Sequence, residues 1–461
     1  METKTAAENN PLGYAPISKL IIKFALPSII SLLVSAAYNI TDQIFIGQVI
    51  GILGNAATNV AFPLTILTTA LAQLIGVGAA ANFNISMGAK KQDKVEGIVG
   101  TGLTLISVCG PLLAAFVFLL KTPILLLCGA TDNVLPYAES YLGITVIGLP
   151  FFLFSQAASQ LIRADGSPTY FMMSNLTGAV LNVFLDWLFM YPLGWGIQGA
   201  AAATVIGQIV SFLICVRYFT RFKAFKIKLE TCRIKLSYVT DIAKLGTSNF
   251  INHLIMMVVN IVMNNTLAYY GALAAYGSDI PLAVSGVIAK LDRILIAFTV
   301  GIAQGCQPIL GFNMGAKNYD RVKGTYKKAL VATLCISIMA FLAFQLFPRQ
   351  IVSIFGVGDE LYFSFAKRYV RIFMLMVCVY GVQPLSVNFF SGIGNARQGI
   401  MLSLSRQGFF LLPLLMILPM MFGLDGVLYA GPIADSLACA LSLAMVFKNF
   451  KELAVWNMNK V

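Results

Sequence analysis

The sequence predicts an all-α polytopic membrane protein, with twelve transmembrane helices in two six-helix lobes related by pseudo-twofold symmetry. Three observations predict it. The chain is 58% hydrophobic and only 11% charged, where soluble domains carry about 25% charged residues. Apolar runs recur through nearly its whole length, each close to the roughly 20 residues a helix needs to cross hydrocarbon. They lack the alternation of the roughly 10-residue strands of a barrel. Finally, the same loop motifs return at one constant spacing, 227 residues.

In chain order the expected spans are 18–46, 58–83, 95–119, 136–160, 168–191, 199–219, 246–270, 282–311, 326–347, 363–390, 399–422 and 427–447. The first ten residues are polar and the first apolar run is long enough to span, so no cleavable signal is expected. The connections alternate in character. One set holds 25 of the 32 Lys and Arg residues and the other holds five. By the positive-inside rule the basic set faces the cytoplasm, with both termini. The net charge of +13 is thus a topology signal and a contact for lipid headgroups, which argues against nucleic-acid binding. The eight cysteines are scattered singly with no C-x-x-C, so neither a disulfide framework nor a zinc site is expected.

The longest connection, from Arg221, reads R-F-K-A-F-K-I-K-L-E-T-C-R-I-K-L. Its alternation of basic and apolar residues suits a segment lying on the inner leaflet; a plain linker is the alternative. It divides the chain into an N-terminal lobe, 1–225, and a C-terminal lobe, 226–461. The two halves repeat: Met87–Gly97 matches Met314–Gly324, Gly129–Asp132 matches Gly356–Asp359, and Gly196–Gly199 matches Gly423–Gly426. Six spans per half is an even number, so both halves share one orientation and the pseudo-twofold axis runs along the membrane normal. Two such bundles facing each other suit alternating access.

Polar residues inside the spans locate the chemistry. Span five carries Asn175 and, within L-N-V-F-L-D, Asn182 and Asp186. The last two are one helical turn apart on one face. A carboxylate at membrane depth costs roughly 2.5–3.5 kcal/mol on insertion scales and marks function by default. Span one carries Ser31, Ser35, Tyr38, Asn39 and Asp42 as one stripe. A hydrated interfacial role is the alternative for Asp42, which lies near Gly47 where the span ends. Pro27 is placed to kink that helix. Asp42 and Asp186 are expected at similar depth. Two carboxyls meeting there cannot both ionise freely, so one takes up and releases a proton. Alternatively they hold a small hard cation such as Na+, with the Asn182 oxygen and the Thr204 hydroxyl completing the set. The small residues of Gly199–Gly207 permit close helix packing.

The second half is not equivalent, because Asp186 corresponds to Pro413. Span seven carries Asn249, Asn252, His253, Asn260 and Asn264, and span eight carries Lys290, Asp292 and Arg293. His253, the single histidine, reads as a hydrogen-bonded structural residue or as a proton relay. Asp292 is expected to pair with one of its basic neighbours. Gln156, Gln160 and Arg163 form a row expected at the cytoplasmic mouth. The 33 Phe and 18 Met residues serve packing, and a cavity of Phe, Met and Tyr suits an apolar cation. The expected cargo-cavity residues are Tyr38, Asn39, Gln156, Asn175, His253, Asn260 and Arg293.

These features resemble the multidrug and toxic compound extrusion (MATE) family, in its bacterial branch that couples through the N-terminal lobe. The resemblance rests on the length, the six-plus-six repeat, the paired M-G-A-K loops, Y-N-I-T-D at Tyr38–Asp42, and L-N-V-F-L-D at Leu181–Asp186 followed by G-x-x-G-A-A-x-A-T. It covers residues 15–450. It implies V-shaped lobes around a central cavity, export of lipophilic organic cations, and exchange for protons or sodium. It assigns coupling to Asp42, Asn182, Asp186 and Thr204. Another branch couples through acids in spans seven and ten. The comparable places here hold neutral residues, near Met256 and Tyr380.

The expected function is therefore a cation-coupled multidrug exporter in a bacterial inner membrane, acting as a monomer on small cationic amphiphiles and touching only them and the lipid bilayer. A lipid-linked precursor flippase is the alternative. It would want a strongly cationic cavity, and Lys290 and Arg293 are its main candidates. An intramembrane enzyme is disfavoured by one His, no H-E-x-x-H and no G-x-S-x-G. A channel fits two occluding lobes less well than antiport does. Nothing in the sequence implies a bound cofactor.

Overall fold

The structure, a computed structural model, describes residues 10–227, 231–277, 279–354 and 360–458. No strand occurs among the described residues. The long helices are α1 (Ile17–Val49), α2 (Ile52–Gly88), α3 (Gln92–Leu119), α4 (Leu135–Ala164), α5 (Pro168–Met190), α6 (Gly196–Phe219), α7 (Leu236–Ala272), α8 (Asp279–Gly315) and α9 (Tyr319–Leu346). The tenth span is broken into α10 (Glu360–Phe373) and α11 (Val382–Gly392) around a 3-10 turn, Leu375–Val379. The eleventh joins α12 (Ala396–Leu404) to α13 (Leu412–Phe422) through a π-helical turn, Ser405–Leu411. The chain closes on α14 (Leu424–Met458).

Ten of these spans are long and apolar enough to cross a membrane. The two others, α5 and α8, carry the polar residues singled out above. Several helices outrun the expected spans. At 37 residues, α2 is about 55 Å long against a hydrocarbon core of about 30 Å. The apolar run marks only the part in hydrocarbon, and the helix continues at both ends.

The turns carry the repeat into three dimensions. Lys90 (φ 57°) and Lys317 (φ 58°) are the non-glycine residues with left-handed backbone among those described. They occupy the same place in the two M-G-A-K loops. Gly196 (φ 57°) is the first residue of α6, and its counterpart Gly423 (φ 58°) immediately precedes α14. The third matching loop, Gly356–Asp359, lies outside the described residues.

The chain forms two compact units, and their boundary is not at residue 225. One holds Met1–Tyr14 and Pro27–His253, the other Ala15–Leu26 and Leu254–Val461. The two crossing points fall inside α1 and α7, and they too are 227 residues apart. Packing explains the exchange. In the first unit the start of α7 lies directly on α2, and a Cβ on Gly246 would stand 1.8 Å from the Leu74 carbonyl oxygen. Lys94 Nζ meets Asp241 Oδ2 at 2.8 Å and Asn82 Nδ2 donates to the Asp241 carbonyl at 2.9 Å. In the second unit Arg321, the repeat counterpart of Lys94, donates from Nη2 to the Ala15 carbonyl at 2.7 Å.

The connection after α6 is docked on the first unit. Phe222 is buried, and Phe225 and Ile227 pack against a core cluster that includes Phe83, Tyr218 and Ile242. Asp165, which follows α4, accepts from Tyr218 Oη at 2.7 Å and from the backbone N–H groups of Lys223 at 2.8 Å and Ala224 at 3.1 Å. Burial nevertheless pushes the Asp165 carboxyl up to about 6.

Candidate functional site

The site begins where α5 and α6 touch. A Cβ on Gly207 would stand 2.8 Å from the Gly178 carbonyl oxygen, so only glycine admits this approach without displacement. Ala200, Ala201 and Ala203 are fully buried on the same helix. Small side chains let two backbones meet, and the meeting brings Asn182 to Thr204. Asn182 Nδ2 stands 3.4 Å from Thr204 Oγ1. With its amide turned over it satisfies both ends, donating to Asp186 Oδ2 at 3.3 Å and accepting from the Thr204 N–H at 3.2 Å.

Asp186 follows one turn later and is completely buried, while Asp42 of α1 is 8% exposed. Their carboxyl groups lie within hydrogen-bonding reach of each other. Oδ1 of Asp42 and Oδ1 of Asp186 are both buried without a hydrogen-bond partner. Among the described residues no lysine or arginine stands among the groups acting on either carboxyl. Two tyrosines face the pair. Tyr38, one turn from Asp42, is within electrostatic reach of both carboxyls. Tyr141 of α4 is within reach of both and of Tyr38, and its hydroxyl also meets Thr204. Tyr141 was not singled out from sequence; its one signal was a hydroxyl-tipped ring inside an apolar run.

The register of α1 against its neighbours is set by side chains. Asn175 Nδ2 donates to Ser31 Oγ at 2.8 Å. Toward the other end, Tyr191 Oη donates to Gln48 Oε1 at 2.6 Å and Gln43 Nε2 donates to Thr58 Oγ1 at 3.0 Å. Beside the acidic pair lies a cavity of about 50 Å³ whose lining includes Ser35, Tyr38, Gln156, Asn175, Asn182 and Thr204. That is room for a few water molecules, each needing about 10–15 Å³ by the same measure.

The first unit thus brings together Asp42, Asn182, Asp186 and Thr204, with Tyr38, Gln156 and Asn175 on the adjoining cavity. Asn39 instead turns back on its own helix, donating from Nδ2 to the Ser35 carbonyl at 2.6 Å. Gln160 and Arg163 do not line a mouth. Both are buried, Arg163 Nη2 donates to Gln160 Oε1, and the guanidinium stands 5.6 Å from the Phe171 ring centre. Their spacing put them on the same face as Gln156, but that face turns into the core at its inner end. His253 is the last residue of the first unit. Asn260, Lys290 and Arg293 lie on exposed faces of α7 and α8.

The second unit holds a polar network that the sequence reading did not assemble. Arg406, in the π-helical turn, bonds from Nε to Asp435 Oδ1 at 2.5 Å. Its guanidinium covers the Tyr380 ring at 4.5 Å, and Tyr380 Oη donates to Asp292 Oδ2 at 3.2 Å. Asp292 is within electrostatic reach of Arg406 and Arg293. Arg406 lies within the eleventh span.

Comparison with known proteins supplies the context. The MatE family model matches residues 27–188 and 249–417. The chain is 25% identical over 443 residues to the multidrug export protein MepA of Staphylococcus aureus (strain N315), covering 94% of each. A MepA of Staphylococcus haemolyticus is 25% identical over 442 residues, covering 95% of each. Among solved structures, a MOP superfamily transporter from Pyrococcus furiosus, described as having reversed polarity of its binding pocket, matches with TM-score 0.89 at 21% identity, over 96% of this chain and 98% of that one. An outward-facing multidrug resistance MATE family transporter matches with TM-score 0.88 at 20% identity, over 98% and 99%. At these identities the structures speak for the fold.

Proposed function

The chain belongs to the MatE family, and we propose that it is a secondary multidrug exporter that takes a proton or sodium ion at the Asp42–Asp186 pair and passes lipophilic organic cations outward by alternating access. One observation carries this reading. Two buried carboxyls meet with an unpartnered oxygen on each and, among the described residues, no basic residue acting on either. Charges at membrane depth are tolerated where they pair or serve ion pathways. The missing positive charge is what a transported cation supplies.

The donor set fits either ion. A proton would sit on one carboxyl and be donated to the other. A sodium ion would take oxygens from Asp42, Asp186, Asn182 and Thr204, all hard ligands. The adjoining cavity would hydrate the approach. It is too small for a drug, so cargo and coupling ion occupy different places. Loading from the outer side removes the repulsion between α1 and α5 and favours a different packing of α1. The ion then drives cargo release only through its unequal affinity for the two states. The name of the MepA relatives supports the cargo class. The charge bias of the connections supports an inner-membrane orientation with both termini in the cytoplasm. Family members are transporters, which accords with a chain that turns over no substrate chemically. A lipid-linked precursor flippase is the second reading. The exposed Lys290 and Arg293 of α8 favour it as partners for a pyrophosphate.

The test is accumulation of a cationic dye such as ethidium by energised inverted vesicles, where efflux runs into the lumen, for wild type, Asp42→Asn and Asp186→Asn, under a pH gradient or a sodium gradient. We expect both variants to lose at least ten-fold in coupled efflux. Unimpaired efflux in both would refute coupling through this pair. No dye movement in wild type, with lipid-linked precursor transported instead, would establish the flippase.

A further inference from the structure

The connection between α6 and α7 has two chemically different sides. One is held to the first unit. Phe222 is buried, Asp165 takes two of the backbone N–H groups, and the Thr101 and Thr104 hydroxyls donate to the carbonyls of Arg233 and Cys232, each at 3.1 Å. A Cβ on Gly100 would stand 1.8 Å from the Thr231 carbonyl oxygen, so this strand of chain lies directly on α3. The other side is exposed. It presents Arg221, Lys223, Lys226, Arg233 and Lys235, and beside the last two Ile234 is 53% and Leu236 77% exposed. Among the described residues from Arg217 to Lys244 the one carboxylate, Asp241, is taken by Lys94 at 2.8 Å.

A solvated loop has no use for two exposed aliphatic side chains beside its cations. A segment at the bilayer boundary does, because cations reach phosphates while apolar residues enter the acyl region. Its described residues, 221–227 and 231–236, follow α6 and lead into α7, so their constant neighbour is the bilayer those helices enter. We propose that this face binds the anionic phospholipid headgroups of the adjoining leaflet, its cations taking phosphates and Ile234 and Leu236 seating in the acyl boundary. A water-soluble acidic partner would meet the same cations but leave those two side chains without an apolar phase. Because the other side is clamped to α3 and α4, bound lipid fixes a surface that is already ordered. The cations lose little freedom on binding.

The experiment uses the purified full-length protein in a neutral detergent, titrated with phosphatidylglycerol, phosphatidylcholine or inorganic phosphate while its melting midpoint is followed. We expect phosphatidylglycerol to raise the midpoint and the other two to leave it unchanged, with the effect largely removed by about 0.5 M salt. Each neutralised cation should raise the half-saturating lipid concentration about five-fold. Arg233→Gln with Lys235→Gln then gives about 25-fold, and Arg221→Gln, Lys223→Gln and Lys226→Gln together about 125-fold. A second readout is Ile234→Trp in bilayers: brominated phosphatidylglycerol should quench its fluorescence. Equal response to both lipids, reproduction by free phosphate, or unchanged half-saturation in the variants would overturn the proposal. An unquenched tryptophan would do so even if a multiple variant failed to fold. Neither readout involves transport, so the outcome is independent of the exporter reading.

Discussion

At the residue scale, the acidic pair is chemically simple and its surroundings do the selecting. Asn182 bridges Asp186 to the Thr204 backbone N–H through one amide, while the Thr204 hydroxyl meets Tyr141, so removing that hydroxyl should loosen the site without discharging it. Thr204→Val is expected to weaken ion-dependent efflux about five- to ten-fold, the worth of one hydrogen bond of about 1 kcal/mol, while Thr204→Ser retains it. The measurement is the half-saturating ion concentration for dye efflux. Asp165 makes a second residue-scale prediction, outside the membrane spans. Its folded pKa of about 6 lies above the usual aspartate range, so between about 4 and 6 the folded protein binds more protons than the unfolded chain. Stability therefore rises as pH falls from about 6 toward 4, by up to about 3 kcal/mol from this group. The desolvation of a carboxylate is being relieved. Melting midpoints of wild type and Asp165→Asn across this range should differ in slope, the variant lacking this contribution.

At the element scale, helices meet where side chains vanish. Gly207→Ala would press a methyl within 2.8 Å of the Gly178 carbonyl oxygen. We expect it to cost about 1–3 kcal/mol and to separate Thr204 from Asn182, so the variant should lose both melting temperature and ion affinity. The second unit is pinned differently, by charge across its broken helices. Arg406 and Asp435 are 14% and 6% exposed, which makes their pair costly to halve. Arg406→Ala should destabilise by about 3–5 kcal/mol, whereas Arg406→Met with Asp435→Leu should approach wild type, since a buried ion pair often gains nothing over apolar residues of its size. Thermal unfolding in detergent distinguishes the two outcomes. A π-helical turn commonly marks a functional place, and here it aims Arg406 at Tyr380.

At the scale of the whole molecule, the duplication governs more than the loops. The left-handed residues Lys90 and Lys317, the glycines Gly196 and Gly423, and the crossing points inside α1 and α7 all obey one spacing of 227 residues. Each half lends the start of its first helix to the other unit, held by Lys94 on one side and Arg321 on the other. The Lys94–Asp241 pair is 38% and 32% exposed, so Lys94→Ala should shift stability by less than about 1 kcal/mol. Gly246→Leu, which opposes the backbone contact with Leu74, should cost several times more. Comparing their melting midpoints tells whether charge or close packing holds the exchanged segment.

What the sequence by itself determined was periodic or compositional. Apolar runs set the helices because backbone groups must be satisfied within each segment in lipid. The skewed basic residues set the expected orientation, and the repeated loops set the twofold plan. Asn182 and Asp186 were legible because four residues on a helix is a fixed geometry, Asp42 because it ends a polar stripe at helical spacing, and Thr204 because it is the hydroxyl within a run of small residues. Tertiary structure decided everything that depends on which faces meet. It turned Gln160 and Arg163 into the core and added Tyr141 to the acidic pair. It joined Arg406 to a buried network with Asp435 and Tyr380, and it moved the unit boundary from the linker into the middle of two helices. No local pattern encodes these, because a helix presents the same spacing whichever neighbour it packs against. Only the summed close packing of many helices selects the face, and with it the partner, of each polar side chain.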